Sequence, residues 1–326
     1  MPLRHRLWYK GALMNTKEII SAILTETGKA IVGKEEARRT ILAAILAGGH
    51  ILIDDIPGVG KTTMAVAFTK ALGLSWKRLQ FTPDVLPSDI TGFSMYDKGS
   101  GTFRYVPGAA MTQLLLADEI NRASPKSQSA LLEVMQEGSM TVDGKTYTVP
   151  QPFVVMATQN PFGSSGTQEL PESQTDRFMV RLTMGYPTEE EEVAILKRTA
   201  EGSAASLHAV ISADDLLSLR KETEAVHIDD SLYHYIARLA AASRTSPDVA
   251  LGISPRGSMS LAAMIRAHAL MEGRSYAVPD DVTAVAHAVL EHRLSLTGEA
   301  RFAGKTAKTV LDDLLASLPL PALTEA

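Results

Sequence analysis

One segment constrains this chain more than any other. The apolar run His50 to Ile53 leads through Asp55-Ile56-Pro57-Gly58-Val59-Gly60-Lys61-Thr62-Thr63 into a helical pattern over Met64 to Leu72. A strand that turns on glycines into a helix N-terminus aims backbone N–H groups and the positive end of the helix dipole at one point, which suits a phosphate chain. Lys61 would reach the β- and γ-phosphates and the Thr62 hydroxyl would ligate Mg²⁺, with Gly58, Val59, Gly60 and Thr63 completing the cradle. Asp55 stands where the strict G-x-x-x-x-G-K-[ST] pattern has its first glycine, yet Gly58 and Gly60 still supply backbone freedom. The competing reading is a chance Gly-Lys-Thr in a turn; the strand before it and the helix after it favour the cradle.

Around that segment, short apolar runs alternate with helical patterns, as in a parallel sheet flanked by helices. Buried strands are expected at His50 to Ile53, Lys77 to Phe81, Leu114 to Ala117, Phe153 to Ala157 and Phe178 to Leu182. Two hairpins interrupt the alternation, Phe93 to Met95 with Phe103 to Tyr105, and Met140 to Val142 with Tyr147 to Val149 around Asp143-Gly144. They read either as projecting ribbons or as solvated loops. From Pro187 the chain turns helical, with capping boxes at Thr188/Glu191 and Ser212/Asp215 and a Ser254-Pro255 helix start. Leu232, Tyr235, Ile236 and Leu239 recur at helical spacing as a core-facing stripe. The expected layout is an α/β domain over 14–186 and a helical domain over 187–326. Residues 1–13 read as a disordered extension or a misplaced start, because a cleaner helical start follows Met14.

Composition narrows the chemistry. A chain of 326 residues, 45% hydrophobic and 21% charged, can bury two domain cores and is not a disordered polymer. The absence of Cys removes thiol catalysis, disulfides and cysteine zinc sites, and the eight His are never paired at ligand spacing, so no structural metal is expected. A net charge of -5 argues against a dedicated nucleic-acid binder. The longest uncharged apolar stretch, Ile41 to Ile53, is broken by Gly48, Gly49 and His50 and falls short of the ~18 to 20 residues of a spanning helix. No apolar core follows Arg4, Arg6 and Lys10, so no secretory signal is expected and the cytoplasm is the default.

Downstream of the cradle, Leu114 to Ala117 ends in Asp118-Glu119. In P-loop enzymes the first such carboxylate holds Mg²⁺ and the second polarises the attacking water; by themselves, adjacent acids are more often surface charge or a helix cap. A third apolar run ends in Thr158-Gln159-Asn160-Pro161, at the strand edge where α/β sheets bind ligands. Asn160 there could orient the lytic water or touch the γ-phosphate, and alone it reads as a turn Asn before proline.

The order Gly58-Val59-Gly60-Lys61-Thr62, Asp118-Glu119, Asn160, Arg177 and Arg256 resembles an AAA+ ATPase, and within that superfamily the MoxR group. The resemblance rests on Phe81 to Asp89, Asp118 to Ala123, Ala130 to Met135, Ala157 to Pro161 and Leu170 to Phe178, and it covers nearly everything from Ile31 to Leu294. It implies a P-loop AAA+ core followed by a smaller all-α lid, a homo-hexameric ring with Mg·ATP between subunits, and Asn160 as sensor 1. It also implies that Arg177, otherwise only part of an ion-pair-prone dipeptide with Asp176, is an arginine finger for the neighbouring site. Arg256 resembles sensor 2, its bland reading being a solvated first-turn arginine, and Val32-Gly33 resembles the segment lining the adenine pocket. The two hairpins match the helix-2 and pre-sensor-1 insertions, which would face the ring pore or a client.

By this resemblance the chain is a chaperone-like ATPase that remodels a protein client with a von Willebrand factor A domain partner. The alternatives are a magnesium-chelatase ATPase subunit or a DNA-acting motor. The latter is disfavoured because the pore hairpins carry Lys145 against Asp143, and Lys98 and Arg104 against Asp97, so neither is a basic finger. A non-hydrolysing scaffold is disfavoured by the joint presence of Lys61, Asp118, Glu119, Asn160 and Arg177, and no acceptor site suggests a kinase. Deleting residues 1–13 is expected to leave folding and ATPase rate intact, checked by circular dichroism and phosphate release.

Overall fold

The computed structural model describes residues 7–9, 12–56, 58–160, 170–200 and 206–321. Five strands form the central sheet: β1 (Ile51–Asp54), β2 (Trp76–Gln80), β3 (Leu114–Asp118), β4 (Val154–Gln159) and β5 (Val180–Leu182). Their order across the sheet is β5-β1-β4-β3-β2, every pair parallel. Alternate side chains leave opposite faces, as the pleat requires. Ile51, Ile53, Leu114, Leu116, Val154 and Met156 join one apolar core. Leu52, Leu115, Ala117, Val155 and Ala157 join another, on the side of the helix Pro125–Glu137. Burial on both faces explains why these strands read as unbroken apolar runs.

The strands lie within one or two residues of the expected positions, with two informative differences. The ladder runs on to the polar residues Asp54, Asp118 and Gln159, pairing Gln159 with Asp54 and Gln80 with Asp118. Asp118 is therefore held by strand backbone, and Glu119 and Asn160 follow directly on the ends of β3 and β4. In addition, β2 is mostly exposed, not buried as expected, because it is an edge strand paired only with β3.

Both hairpins form, Gly92–Asp97 with Thr102–Pro107 and Ser139–Val142 with Lys145–Thr148. The second turns on Asp143 and Gly144, at φ 50° and 77°. The two ribbons lean on each other through Tyr105 and Tyr147, stacked with centroids 3.9 Å apart.

Beyond Leu182 come helices, starting at Glu189–Ala200 and including Ala213–Glu224, Asp230–Thr245, Pro255–Met271 and Pro279–Leu290. The Ser212/Asp215 capping box and the Ser254 cap before Pro255 are made, and Leu232, Tyr235, Ile236 and Leu239 are buried. A small ribbon of Val249–Leu251 and Ser295–Leu296 was not expected; runs of two or three residues carry no readable periodicity. Leu7–Tyr9 pairs antiparallel with Ala12–Met14, so this part of the segment set apart as a disordered extension carries strand structure; residues 1–6, 10 and 11 lie outside the described residues. Among the described residues no helix is long and apolar enough to cross a membrane.

His50 pins the strand that feeds the cradle. Its Nδ1 accepts from Val155 N–H on β4 at 3.0 Å and its Nε2 faces the Met135 carbonyl at 3.0 Å, which suits one neutral tautomer. Burial pushes its pKa down to about 4, against the Met135 bond and helped by the Arg220 charge. A lowered histidine pKa means that the unfolded state binds the proton more readily, so stability is full above pH ~6.5 and falls between ~6.5 and ~4, by about 3 kcal/mol. Melting curves across that range are expected to show this loss, and His50→Gln is expected to flatten it.

Candidate functional site

At the end of β1 the chain must reverse and open onto a helix. Asp55, 6% exposed, organises this bend: its carboxylate accepts from Ile56 N–H at 2.9 Å and from Met184 and Gly185 N–H at 2.5 and 2.7 Å. The residue in the first-glycine position thus ties the loop to the segment after β5. Gly58 and Gly60 take φ of 90° and 93°, the left-handed region that glycine enters without steric cost; Pro57 lies outside the described residues. The helix Lys61–Ala71 starts at Gly60 with no side chain capping it, so its first N–H groups and positive dipole end face the bend. Thr62 is half-buried and Thr63 exposed in that first turn.

Lys61 is 8% exposed, and its Nζ donates to the Asp55 carbonyl at 2.6 Å, with Asn160 Oδ1 at 3.4 Å and the Gln159 carbonyl at 3.5 Å. Burial lowers its pKa, while the charges of Asp118, Asp55, Asp54 and Glu119 oppose that. The ammonium is held by carbonyls at the mouth of the sheet, where an incoming phosphate can replace them.

At the end of β3, the Thr158 hydroxyl on neighbouring β4 donates to Asp118 Oδ1 at 2.5 Å and accepts from Glu119 N–H at 2.9 Å. Arg78, from β2, donates to Asp118 Oδ2 through Nη2 at 2.6 Å and Nε at 3.2 Å. Glu119 sits at φ 57°, an uncommon conformation for a residue with a Cβ. Its Oε1 accepts from Asn160 Nδ2 at 3.1 Å and its Oε2 from Arg122 Nη1 at 2.8 Å. Asn160 is anchored in turn by Asn121, whose Nδ2 donates to its carbonyl at 3.1 Å and whose Oδ1 accepts its N–H at 3.4 Å. Asn160 therefore joins Lys61 to Glu119 at the C-terminal edge of the sheet. The Thr62 hydroxyl and the Asp118 carboxylate are hard oxygen donors of the kind that could hold Mg²⁺.

The other expected residues stand apart from this cluster. Gly33, at φ 65°, lies where a Cβ would strike the Glu191 carboxylate, and next to it Lys34 Nζ donates to the Tyr186 carbonyl at 2.7 Å. Val32-Gly33 is thus held against the segment entering the helices. Arg256 Nη2 reaches Gln136 Oε1 at 3.5 Å, and Arg177 Nε is buried with no hydrogen-bond partner among the described residues.

Residues 50–180 match the model of the ATPase family associated with various cellular activities (AAA), and residues 241–314 match the AAA lid domain. The chain is 44% identical to the uncharacterized protein YeaC of Bacillus subtilis, covering 93% of this chain and 95% of that one. It is 39% identical to the chaperone MoxR1 of Mycobacterium tuberculosis, covering 91% and 81%. A crystal structure assigned as an ATPase, from Cytophaga hutchinsonii, superposes with a TM-score of 0.88 at 34% identity, covering 94% of this chain and 96% of that one. The chain belongs to the MoxR family of AAA+ ATPases. It binds nucleotide and is an ATPase, with a parallel five-stranded core and a helical lid.

Several residues of this MoxR-family site escaped sequence reasoning. Asn121 and Arg122 directly follow Asp118-Glu119, so adjacency was a usable signal. Arg78 and Thr158 carry none, since their approach to Asp118 depends on β2 and β4 flanking β3. The sequence marks Asp55 only as a mismatch to the strict glycine pattern, one that the resemblance accommodates, and carries no sign of its anchoring bonds. Asp55→Gly, which restores the strict glycine pattern, is therefore expected to lower stability by about 1–3 kcal/mol in urea unfolding, because it strands the Met184 and Gly185 N–H groups.

Proposed function

We propose that this chain works as a Mg·ATP-driven ring, a homo-hexamer with ATP between subunits, that remodels a protein client in concert with a von Willebrand factor A domain partner. The observation that carries the reading is the Lys61–Asn160–Glu119 connection, which gathers a phosphate-binding cation, a neutral sensor and a carboxylate at one edge of the sheet. In this reading the backbone of Gly58 to Thr63 and Lys61 hold the triphosphate, and Val32-Gly33 borders the base. Thr62 and Asp118 hold Mg²⁺, which when bound offsets phosphate charge. Glu119 orients and deprotonates the attacking water, and Asn160 keeps Oε1 directed toward it. Arg177 reaches the γ-phosphate of the neighbouring subunit, and Arg256 enters from the lid.

A protein client is favoured by the hairpin Gly92–Pro107, which exposes Phe93, Met95, Tyr96 and Phe103, the last 73% exposed. An apolar patch of this kind suits polypeptide and offers little to a phosphate backbone. The name of the M. tuberculosis relative, a chaperone, agrees with this.

Glu119→Gln is expected to bind ATP within a few-fold of wild type while phosphate release falls by roughly 100-fold or more. Used as bait in Mg·ATP against Lys61→Ala, it is expected to recover a von Willebrand factor A domain protein from lysate in an ATP-dependent way. Recovery of nucleic acid instead would overturn the client assignment, and normal hydrolysis by Glu119→Gln would overturn the mechanism.

A further inference from the structure

Arg293 lies in the lid, yet most of what it holds belongs to the core. Its side chain is 1% exposed. Nε donates to Asp176 Oδ1 at 2.7 Å; Nη2 donates to the carbonyls of Asp176 at 3.0 Å and Phe178 at 2.7 Å; Nη1 donates to the Met179 carbonyl at 3.1 Å. Lid anchors complete the set, since Nη1 also bonds the Val289 carbonyl and Nη2 lies 3.4 Å from Ser260 Oγ. The guanidinium thus holds residues 176, 178 and 179 and skips 177, whose own Nε has no partner among the described residues. A second tie converges on the same carboxylate: Ser254 Oγ donates to Asp176 at 3.0 Å while capping the helix Pro255–Met271, on which Arg256 sits two residues later.

Burying a guanidinium is costly unless every donor is used, so this set of bonds marks a fixed attachment. The fork geometry matters as much as the charge, because an ammonium cannot serve a carboxylate and several carbonyls at once. The turn bearing Arg177 is therefore attached to the lid, not merely to the sheet. The Arg256 charge also acts on Arg293, lowering its pKa behind the larger effect of burial, which places the two lid arginines in one electrostatic environment.

We propose that Arg293, with Asp176, is a positioning residue for the trans-acting arginine: it clamps the Asp176–Met179 turn from the lid, so that lid position sets how Arg177 is presented to the neighbouring subunit's ATP. This rests on the ring reading above. A lid that responds to its own nucleotide then controls hydrolysis next door through one buried side chain.

The test is steady-state ATPase of the full chain as Arg293→Lys, with Arg177→Ala in parallel. Arg293→Lys is expected to lower kcat at least 10-fold with KM for ATP within about twofold. A purely structural role would lower the melting temperature with kcat of the folded fraction unchanged, and that result overturns the proposal. Because Lys can leave the buried carboxylate poorly served, Asp176→Leu/Arg293→Met is measured too; it removes both charges and is expected to fold and to show the same kcat loss. Mixing then separates cis from trans. Arg293→Lys protomers, whose own sites are intact, are titrated with Glu119→Gln protomers, whose Arg177 turn is intact but which do not hydrolyse. Activity per Arg293→Lys protomer is expected to rise at least threefold, as it should for Arg177→Ala. If Arg177→Ala is rescued and Arg293→Lys is not, the clamp is wrong and the ring reading stands; if neither is rescued, the ring reading falls and the clamp with it.

Discussion

The parallel register of β1, β4 and β3 is the constraint on which the site depends. Pairing Gln159 with Asp54 and Ala157 with Ala117 brings three strand ends level, so the cradle, the acidic pair and Asn160 emerge at one edge. Thr158 converts that alignment into chemistry. One hydroxyl accepts from Glu119 N–H and donates to Asp118, orienting two adjacent acids from a neighbouring strand. A one-residue slip of β4 would turn Thr158 to the opposite face and bury the wrong side chains in both cores.

The acids in this arrangement are fully engaged. Arg78 and Thr158 occupy the oxygens of Asp118, and Asn160 and Arg122 occupy those of Glu119. Lys61 rests on carbonyls and on Asn160. Such a network fixes the direction of each carboxylate through side chains from neighbouring strands and turns.

Core and lid are not joined by the chain alone. Arg39 pairs with Glu272, Thr16 donates to Glu222, and Arg220 donates to the Ile45 carbonyl, so the N-terminal helices also grip the helical region. Arg293 adds the link to the turn after Glu172–Thr175. These ties lie far apart in sequence and are made by long polar side chains, which leave no periodic signature.

The sequence by itself determined the strand-and-helix alternation, the cradle and the helix starts, because each depends on residues within one or two turns of one another: apolar runs, glycines at positive φ and capping pairs; it left the two insertions open between ribbons and loops, which the strand pairing settles. Family motifs added Asp118, Glu119 and Asn160 as a set. What the tertiary structure decided is which of these groups meet and what holds them. That β2 is an exposed edge, that Asp55 anchors the segment after β5, that Arg78 faces Asp118 and that a lid arginine holds the turn around Arg177 all follow from strand order and domain packing. Their physical cause is long-range pairing of backbone and buried charge, and a buried polar group shows its partner only once the chain has closed around it.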